Sequence, residues 1–414
     1  MSPAALSVLA LGVVIIASFG ARVNVGVLAV ALAWPIATFA AGWDAAALVA
    51  VFPSSLFVTL LGVTLLFGIA QSNGTMAALT QRALQQVGSR AALMPPLFFA
   101  LACIISTMGP GAIATIALLA PLAMVASVRS GVPVLLNALM IGNGANAGNL
   151  SPFSAVGVIV AEGMLKAGVP GHAWSVWAAN FAAHALAALA AWALFGGPQL
   201  RRQAAAQMSD DGVTFAREHR LTLVVGTAWV FAVVVFKAPL GFTAFAAAAL
   251  LLLLSAGEDT AMLKQVPWSV LVMVTGVSVL VGVLEGTGGM DLFSSGLALV
   301  ATPDTVNGSI AFITGAISTY SSTSGVVYPA FLPAIPGLIE KLGGGDPLQI
   351  ALSINVGAAL VDVSPISTLG ALCVAALPHG EDAKRLFRQL LLWGLSMTVA
   401  GALFCQLFIR FFAF

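Results

Sequence analysis

Residues 142–154, GNGANAGNLSPFS, set three asparagines, three glycines, two serines and a proline between the apolar runs VPVLLNALMI and AVGVIVAEGM. The chain around them is 60% apolar and only 7% charged, with a mean hydropathy of +1.05. An ordinary soluble protein carries about a quarter charged residues. Segment after segment is long and uncharged enough to cross a ~30 Å hydrocarbon core as helix. Alternating strand patterns are absent, so the spans are helices and not barrel strands. The net charge of +1 gives no sign of nucleic-acid binding. Cys103, Cys373 and Cys405 fall inside apolar helices and imply neither a disulfide framework nor a metal cluster. The first apolar stretch lacks a basic flank and reads as a retained span. The sequence therefore describes an all-α polytopic membrane protein, multi-pass in an inner membrane.

Apolar segments fall near 4–20, 25–42, 52–72, 93–128, 133–166, 172–195, 220–236, 239–255, 267–286, 308–340, 347–377 and 387–411. Two of them, 93–128 and 308–340, are too long for one span, and small polar tracts break them: STMGPG (106–111) and STYSSTSG (318–325). Each reads as a re-entrant helical hairpin, which leaves ten crossings and two hairpins. With 198–219 on the cytoplasmic side, that side holds Arg22, Arg82, Arg90, Arg129, Arg201, Arg202, Arg217, Arg220, Lys264, Lys384, Arg385 and Arg388. The other side keeps Lys166, Lys237, Lys341 and Arg410, a distribution that follows the positive-inside rule.

The two halves match in order. GVTLLFGIAQSNGTM (62–76) aligns with GVSVLVGVLEGTGGM (276–290), six identities in fifteen at an offset of 214. Ile105-Ser106-Thr107 and Pro121 align with Ile317-Ser318-Thr319 and Pro333 at an offset of 212. IGNGANAGNLSPFS (141–154) aligns with INVGAALVDVSPIS (354–367), six in fourteen at 213. Each half then holds five transmembrane crossings, a re-entrant hairpin and a discontinuous helix after it. An odd number of crossings turns the second half upside-down, the inverted-topology plan of many secondary transporters. The expected units are residues 1–196, a cytoplasmic linker at 197–219, and residues 220–414.

Unwinding a helix in lipid costs several kcal/mol for each polar backbone group left unpaired, and is tolerated where those groups line a cavity. Freed carbonyls suit a hard cation and half-helix N-termini suit a carboxylate. The residues predict two cation sites, one from Ser106, Thr107, Asn143, Asn146 and Asn149, the other from Ser318, Thr319, Thr323, Asn355 and Asp362. An anion would sit between the hairpin tips and the S-P-x-S starts of the second half-helices. There Ser151, Ser154, Ser364 and Ser367 are expected at N-cap positions, with Pro152 and Pro365 in the first helical turn. Isolated serines such as Ser18 and Ser396 read as helix-packing residues. Asp362, the acidic residue at mid-depth, faces Asn149 in the alignment; it could ligate Na⁺, carry a proton, or cap the next half-helix. His184 has no repeat partner and reads as a satisfied helix contact, while Glu162 and Glu285 lie near helix ends. With no Lys or Arg at mid-depth, a small mono- or dicarboxylate is easier to hold than a multivalent anion.

These features resemble the ion transporter superfamily, and within it the divalent anion–sodium symporter group and its MatC-like dicarboxylate (malonate) carriers. The resemblance rests on GANAGNLSPFSAVGVIVAEG (144–163) and on the Pro-ended hairpin arms IALLAPLAM and VVYPAFLPAI. It implies Na⁺-coupled symport of C3–C4 dicarboxylates, with no cofactor beyond Na⁺ or H⁺. It also implies a homodimer, with scaffold helices at 4–42 and 220–255 and transport elements at 52–195 and 267–411 that move as an elevator. In that group the hairpin tips carry Ser-Asn-Thr, which contacts Na⁺ and substrate. The matching places here hold Gly111-Ala112-Ile113 and Thr323-Ser324-Gly325, so the substrate contacts do not carry over unchanged. Two other readings compete: a Na⁺/H⁺ or oxyanion antiporter with Asp362 as the carrier, and an intramembrane hydrolase built on Ser324 with His184 or Asp362 as base.

Overall fold

The computed structural model describes residues 1–18, 23–87, 91–196, 200, 214–378 and 381–414. Most of the expected linker, residues 197–199 and 201–213, lies outside the described residues, as do Arg22, Arg90, Arg201 and Arg202. All described secondary structure is helical. The first half runs α1 (Pro3–Ala17), α2 (Val25–Pro35, continued by a π turn Ile36–Ala40), α3 (Ala45–Ala50), α4 (Ser54–Ser72) and α5 (Thr75–Val87). It continues with α6 (Met94–Met108), α7 (Gly111–Ser130), α8 (Val134–Asn149), α9 (Ala155–Lys166) and α10 (Ala173–Leu194). The second half holds α11 (Arg217–Phe236), α12 (Leu240–Leu253), α13 (Asp259–Gln265), α14 (Trp268–Gly286) and α15 (Gly289–Ala298). Then come α16 (Val306–Ser318), α17 (Tyr328–Phe331), α18 (Ile335–Leu342), α19 (Pro347–Leu360), α20 (Thr368–Ala375) and α21 (Ala383–Phe408).

Among the described residues six helices are long and apolar enough to cross a membrane: 54–72, 111–128, 173–194, 268–286, 347–375 and 383–412. Five shorter apolar helices accompany them. Helices α3, α5, α13 and α15 were not expected. α5 is amphipathic, with Thr75, Met76, Ala78 and Thr80 buried and Gln81 and Arg82 exposed, so it falls below any test for a long apolar span.

The quoted stretch proves mostly helical. α8 continues through Gly142, Asn143, Asn146 and Gly148 to Asn149, and only Leu150–Ser154 leaves the helix. Its small residues serve packing. A Cβ on Gly144 would lie 2.3 Å from the Phe99 carbonyl oxygen, and one on Gly148 would lie 2.3 Å from that of Cys103. Such backbone-to-backbone contact is how small residues join membrane helices.

The same contacts give the direction of the chain. Phe99 and Cys103 of α6 meet Gly144 and Gly148 in order, so α6 runs parallel to α8. Ala112 at the start of α7 meets Asn149, and Ser127 near its end meets Asn137, so α7 runs antiparallel to α8. Helices α6 and α7 therefore form a hairpin whose tip abuts the break between α8 and α9. In the second half Asn307 pairs with Gln349 and Ser318 with Asp362, making α16 parallel to α19. Thr323 with Asp362 and Tyr328 with Asn355 make the following arm antiparallel.

Local geometry recurs between the halves. Pro53 (φ −78°, ψ 68°) precedes α4, and Pro267 (φ −78°, ψ 67°) precedes α14. These helices end before Gly74 (φ 81°) and Gly288 (φ 75°). Gly144 against Phe99 is matched by Gly357, whose Cβ would lie 2.5 Å from the Ala311 backbone. Packing is also exchanged: a Cβ on Gly62 of α4 would lie 2.4 Å from the Gly241 carbonyl oxygen of α12, and one on Gly276 of α14 would lie 2.3 Å from that of Gly26 in α2. Each half thus lays its second apolar helix against the α4-type helix of the other.

Candidate transport site

The hairpin tips and helix breaks meet at two junctions. At the first, Gly109 carries φ 144° and Gly111 φ 76°, turning the chain sharply between α6 and α7. Asn149, at the last position of α8, accepts the Ala112 backbone N–H at 2.9 Å through its side-chain oxygen. Ser151 Oγ donates to the Thr107 carbonyl at 2.6 Å, and the Ala155 N–H reaches the Gly109 carbonyl at 3.3 Å. The break thus re-pairs several of the backbone groups that it frees.

Pro152 forces the break, because a proline ring inside a helix removes a donor and clashes with the preceding turn. Ser154 then caps α9, accepting the Gly157 N–H at 2.9 Å, and its hydroxyl donates to the Asn149 carbonyl. The expected N-caps need correction here. Only Ser154 and Ser367 occupy N-cap positions, whereas Ser151 and Ser364 open the turns before them. The Ser154 N–H bonds the Ser151 carbonyl at 3.1 Å, and the Ser367 N–H bonds that of Ser364 at 3.0 Å. Pro152 and Pro365 thus take the second position of a four-residue turn and not the first turn of a helix, a place that the fixed proline φ also favours.

At the second junction α16 ends on Ser318, and Ser322 starts a short π-helix at Thr323–Val327. Asp362 Oδ1 accepts the Thr323 hydroxyl at 2.5 Å, and the Ser318 hydroxyl, which lies against Thr323 Oγ1 and 3.3 Å from Asp362 Oδ1, donates its one proton to either of them. The Asp362 carboxyl is thus held by side chains of the hairpin, and α20 is capped by Ser367 instead; the capping role for Asp362 is not what the geometry gives. Tyr328 Oη donates to the Asn355 carbonyl at 3.1 Å. Ser321 Oγ and both amide atoms of Asn355 are buried with no partner among the described residues.

The structure brings together Gly111, Asn149, Ser151, Pro152 and Ser154 with the Thr107 carbonyl, and Ser318, Thr323 and Asp362 around one carboxyl. Ser106 is buried at the end of α6, and its hydroxyl has no partner among the described residues. Thr319 turns away, its hydroxyl donating to the Gly315 carbonyl at 2.9 Å. Gly325 lies against Met273 of α14, and Ser324 is half-buried beside it. Asn143 and Asn146 do not face the hairpin tip. Asn143 pairs with His184 of α10, and Asn146 donates to the Ala359 carbonyl of α19 at 3.2 Å. His184 is satisfied on one ring nitrogen only, since Nε2 is buried without a partner among the described residues. Asn180, which sequence reasoning passed over, bonds the Asn146 carbonyl at 2.6 Å; its signal was the four-residue spacing to His184 along an alanine-rich helix.

Charge at the junctions is sparse. Asp362 is 8% exposed. Among the described residues no Lys or Arg is placed at either junction, so positive potential at the first comes from the N-terminal ends of α7 and α9. A cavity of about 400 Å³ adjoins the first junction at Leu150 and Pro152 and runs past Thr59, Leu240, Glu162 and His172.

Residues 1–149 match the family model described as dicarboxylate carrier protein MatC N-terminus. That match covers α1 to α8 and stops at Asn149. The YdaH transporter of Alcanivorax borkumensis superposes with a TM-score of 0.61 at 15% identity, over 88% of this chain and 87% of that one. MtrF of Neisseria gonorrhoeae, described with a class of antimetabolite efflux pumps, gives 0.62 at 16% identity, over 99% and 95%. At these identities the likeness is one of fold. No curated protein matches. Residues 1–149 thus match the N-terminus of the MatC dicarboxylate carriers, and the chain is a multi-pass membrane protein that shares its fold with these two solved transporters.

Proposed function

We propose that the chain is a secondary active carrier that moves small organic anions, C3–C4 dicarboxylates such as malonate, succinate or malate, together with a cation, Na⁺ first among them. Its two halves are inverted repeats in an inner membrane, and each hairpin is re-entrant, with its tip at mid-depth. The observation that carries this reading is the pair of matched junctions. In both halves the same repeat position, Asn149 or Asp362, ties the broken helix to the start of the hairpin's second arm. Two broken helices facing two hairpin tips is the arrangement in which secondary transporters place substrate and coupling ions.

Asp362, Ser318 and Thr323 supply the oxygen ligands that a hard cation needs. The N-terminal ends of α7 and α9, with Gly111, Ser151 and Ser154, supply donors for a carboxylate. On the second side the turn Ser364–Ser367 and the segment Thr323-Ser324-Gly325 do the same. The cavity beside Pro152 is an entry route of adequate size. Movement is of the elevator type within a homodimer. We group α4 and α14 with the scaffold, because Gly62 and Gly276 lock them against α12 and α2. A second reading, a Na⁺/H⁺ or oxyanion antiporter, is favoured by Asp362 alone, a buried carboxyl that would then carry a proton.

Uptake into proteoliposomes separates the two. The carrier reading expects labelled dicarboxylate to accumulate under an inward Na⁺ gradient and not under an equal K⁺ gradient. Proton flux driven by Na⁺ without any organic anion would replace it with the antiporter reading.

A further inference from the structure

We infer that Asn146, Asn180 and His184 form a monovalent-cation site between α8 and α10, away from both junctions. Asn143 and Asn146 stand three residues apart on α8, and Asn180 and His184 four apart on α10, so each pair shares a helix face. Two bonds join the faces: His184 Nδ1 to Asn143 Oδ1 at 3.1 Å, and Asn180 Nδ2 to the Asn146 carbonyl at 2.6 Å. All four residues are fully buried.

The site's chemistry follows from what these bonds consume. Asn143 Nδ2 donates to the Leu139 carbonyl at 2.9 Å, so Asn143 Oδ1 faces the imidazole and only accepts. His184 Nδ1 must then bear the ring proton, which leaves a lone pair on Nε2. Asn146 Nδ2 donates to the Ala359 carbonyl and Asn180 Nδ2 to that of Asn146. Among the described residues the buried atoms of this cluster with no partner are Asn146 Oδ1, Asn180 Oδ1 and His184 Nε2. All three are acceptors, whereas each amide nitrogen already has one partner. Buried polar atoms are rarely left unpaired, and a guest that satisfies three acceptors must bring only positive charge or protons. A small monovalent cation does so. Through Ala359 the site also touches the helix that carries Asp362.

This inference rests on cation coupling and deepens it, so the test separates the two. Thermal melting of the purified protein is followed against NaCl, with choline chloride holding ionic strength constant, for wild type, Asn180→Ala and Asn180→Asp. A ligand that binds the native state raises the melting point with its concentration. Asn180→Ala is expected to move the Na⁺ midpoint at least tenfold higher. Asn180→Asp, the same size with a charge added, is expected to move it lower. A wild-type response kept within threefold by both variants overturns this site and leaves the coupling reading standing. A loss of stability in Asn180→Ala that is equal at every Na⁺ concentration, with Asn180→Asp unchanged, assigns the atoms to ordered water and also overturns it. No Na⁺ response in wild type overturns both.

Discussion

Asp362→Asn probes the charge at the second junction while sparing its shape. The amide oxygen of Asn keeps an acceptor where Asp362 Oδ1 takes the Thr323 hydroxyl at 2.5 Å and the Ser318 hydroxyl at 3.3 Å. What disappears is one unit of negative charge. Two unit charges 4 Å apart attract by roughly 4 kcal/mol at an effective dielectric constant of about 20. At about 1.4 kcal/mol per factor of ten, that loss weakens cation binding on the order of a thousandfold. Hydrogen bonds to the residue fall from the charged class, about 1.5–3 kcal/mol, to the neutral class, about 0.5–1.5 kcal/mol, so the fold is weakened but kept. The assay is Na⁺-dependent dicarboxylate uptake in proteoliposomes, read as the Na⁺ concentration for half-maximal rate. Asn149→Asp is the reciprocal change, since Asn149 Oδ1 already accepts a backbone N–H at 2.9 Å and a carboxylate oxygen can do the same. The double swap Asp362→Asn with Asn149→Asp conserves total charge, and is expected to transport without recovering the wild-type Na⁺ affinity. A half-maximal Na⁺ concentration within threefold of wild type in Asp362→Asn would refute the reasoning.

Other variants test the packing and the caps. Gly144→Ala puts a methyl 2.3 Å from the Phe99 carbonyl oxygen, and pushing the hairpin off α8 is expected to cost about 1–3 kcal/mol or more, seen as a lower unfolding midpoint in mixed micelles. Ser154→Ala removes a cap that holds the Gly157 N–H and should cost about 1 kcal/mol; Ser367→Ala should cost distinctly less, because Ser367 makes no side-chain cap bond. Equal losses in the two serine variants would contradict the turn geometry. Thr323→Val strips a donor from Asp362 at nearly constant volume and should cost about 1–3 kcal/mol, with Thr323→Ser restoring the Na⁺ response; failure of the serine variant to do so would show that the methyl group matters more than the hydroxyl.

Much of this plan was readable in the residues. The polar tracts STMGPG and STYSSTSG marked the turns between the hairpin arms, and the S-P-x-S pairs fell at both breaks. The extent of unwinding was not readable. In GNGANAGN the glycines and asparagines look like loop residues, yet Gly144 and Gly148 exist to let α6 approach, and the helix runs to Asn149. Composition cannot distinguish a glycine that breaks a helix from one that packs it, because the difference lies in the partner helix. Two of the four expected caps, Ser154 and Ser367, hold, and Ser151 and Ser364 do not: S-P-x-S offers two serines, and only the turn bond from Ser154 to Ser151 decides between them. Surface helices such as α5 escaped because an amphipathic stretch resembles a polar loop when only long apolar windows are sought. His184 does contact a neighbouring helix as expected, through Nδ1, but its Nε2 has no partner among the described residues, which the residue pattern could not reveal.

The two junctions share a frame and differ in what can be exchanged on it. At the first, the group facing Asn149 is a backbone N–H, which can only donate. A cation placed there would meet the positive end of that bond and of the α7 helix, whereas a carboxylate would be welcome. At the second, the groups facing Asp362 are the hydroxyls of Ser318 and Thr323. A hydroxyl can rotate its proton away and present a lone pair, so the same side chains that hydrogen-bond the bare carboxylate can ligate a cation beside it. On the proposed reading, the first junction favours the anion over the cation, and the second adds the oxygen ligands that a cation needs. A further cation site in the first half must then lie off the junction, where Asn146, Asn180 and His184 hold acceptors with no partner among the described residues. Moving Asn149 and Asp362 together by mutation transfers the charge but not the hydroxyls, which is why the double swap should leave Na⁺ affinity unrecovered until Ala112 and its neighbours are replaced as well.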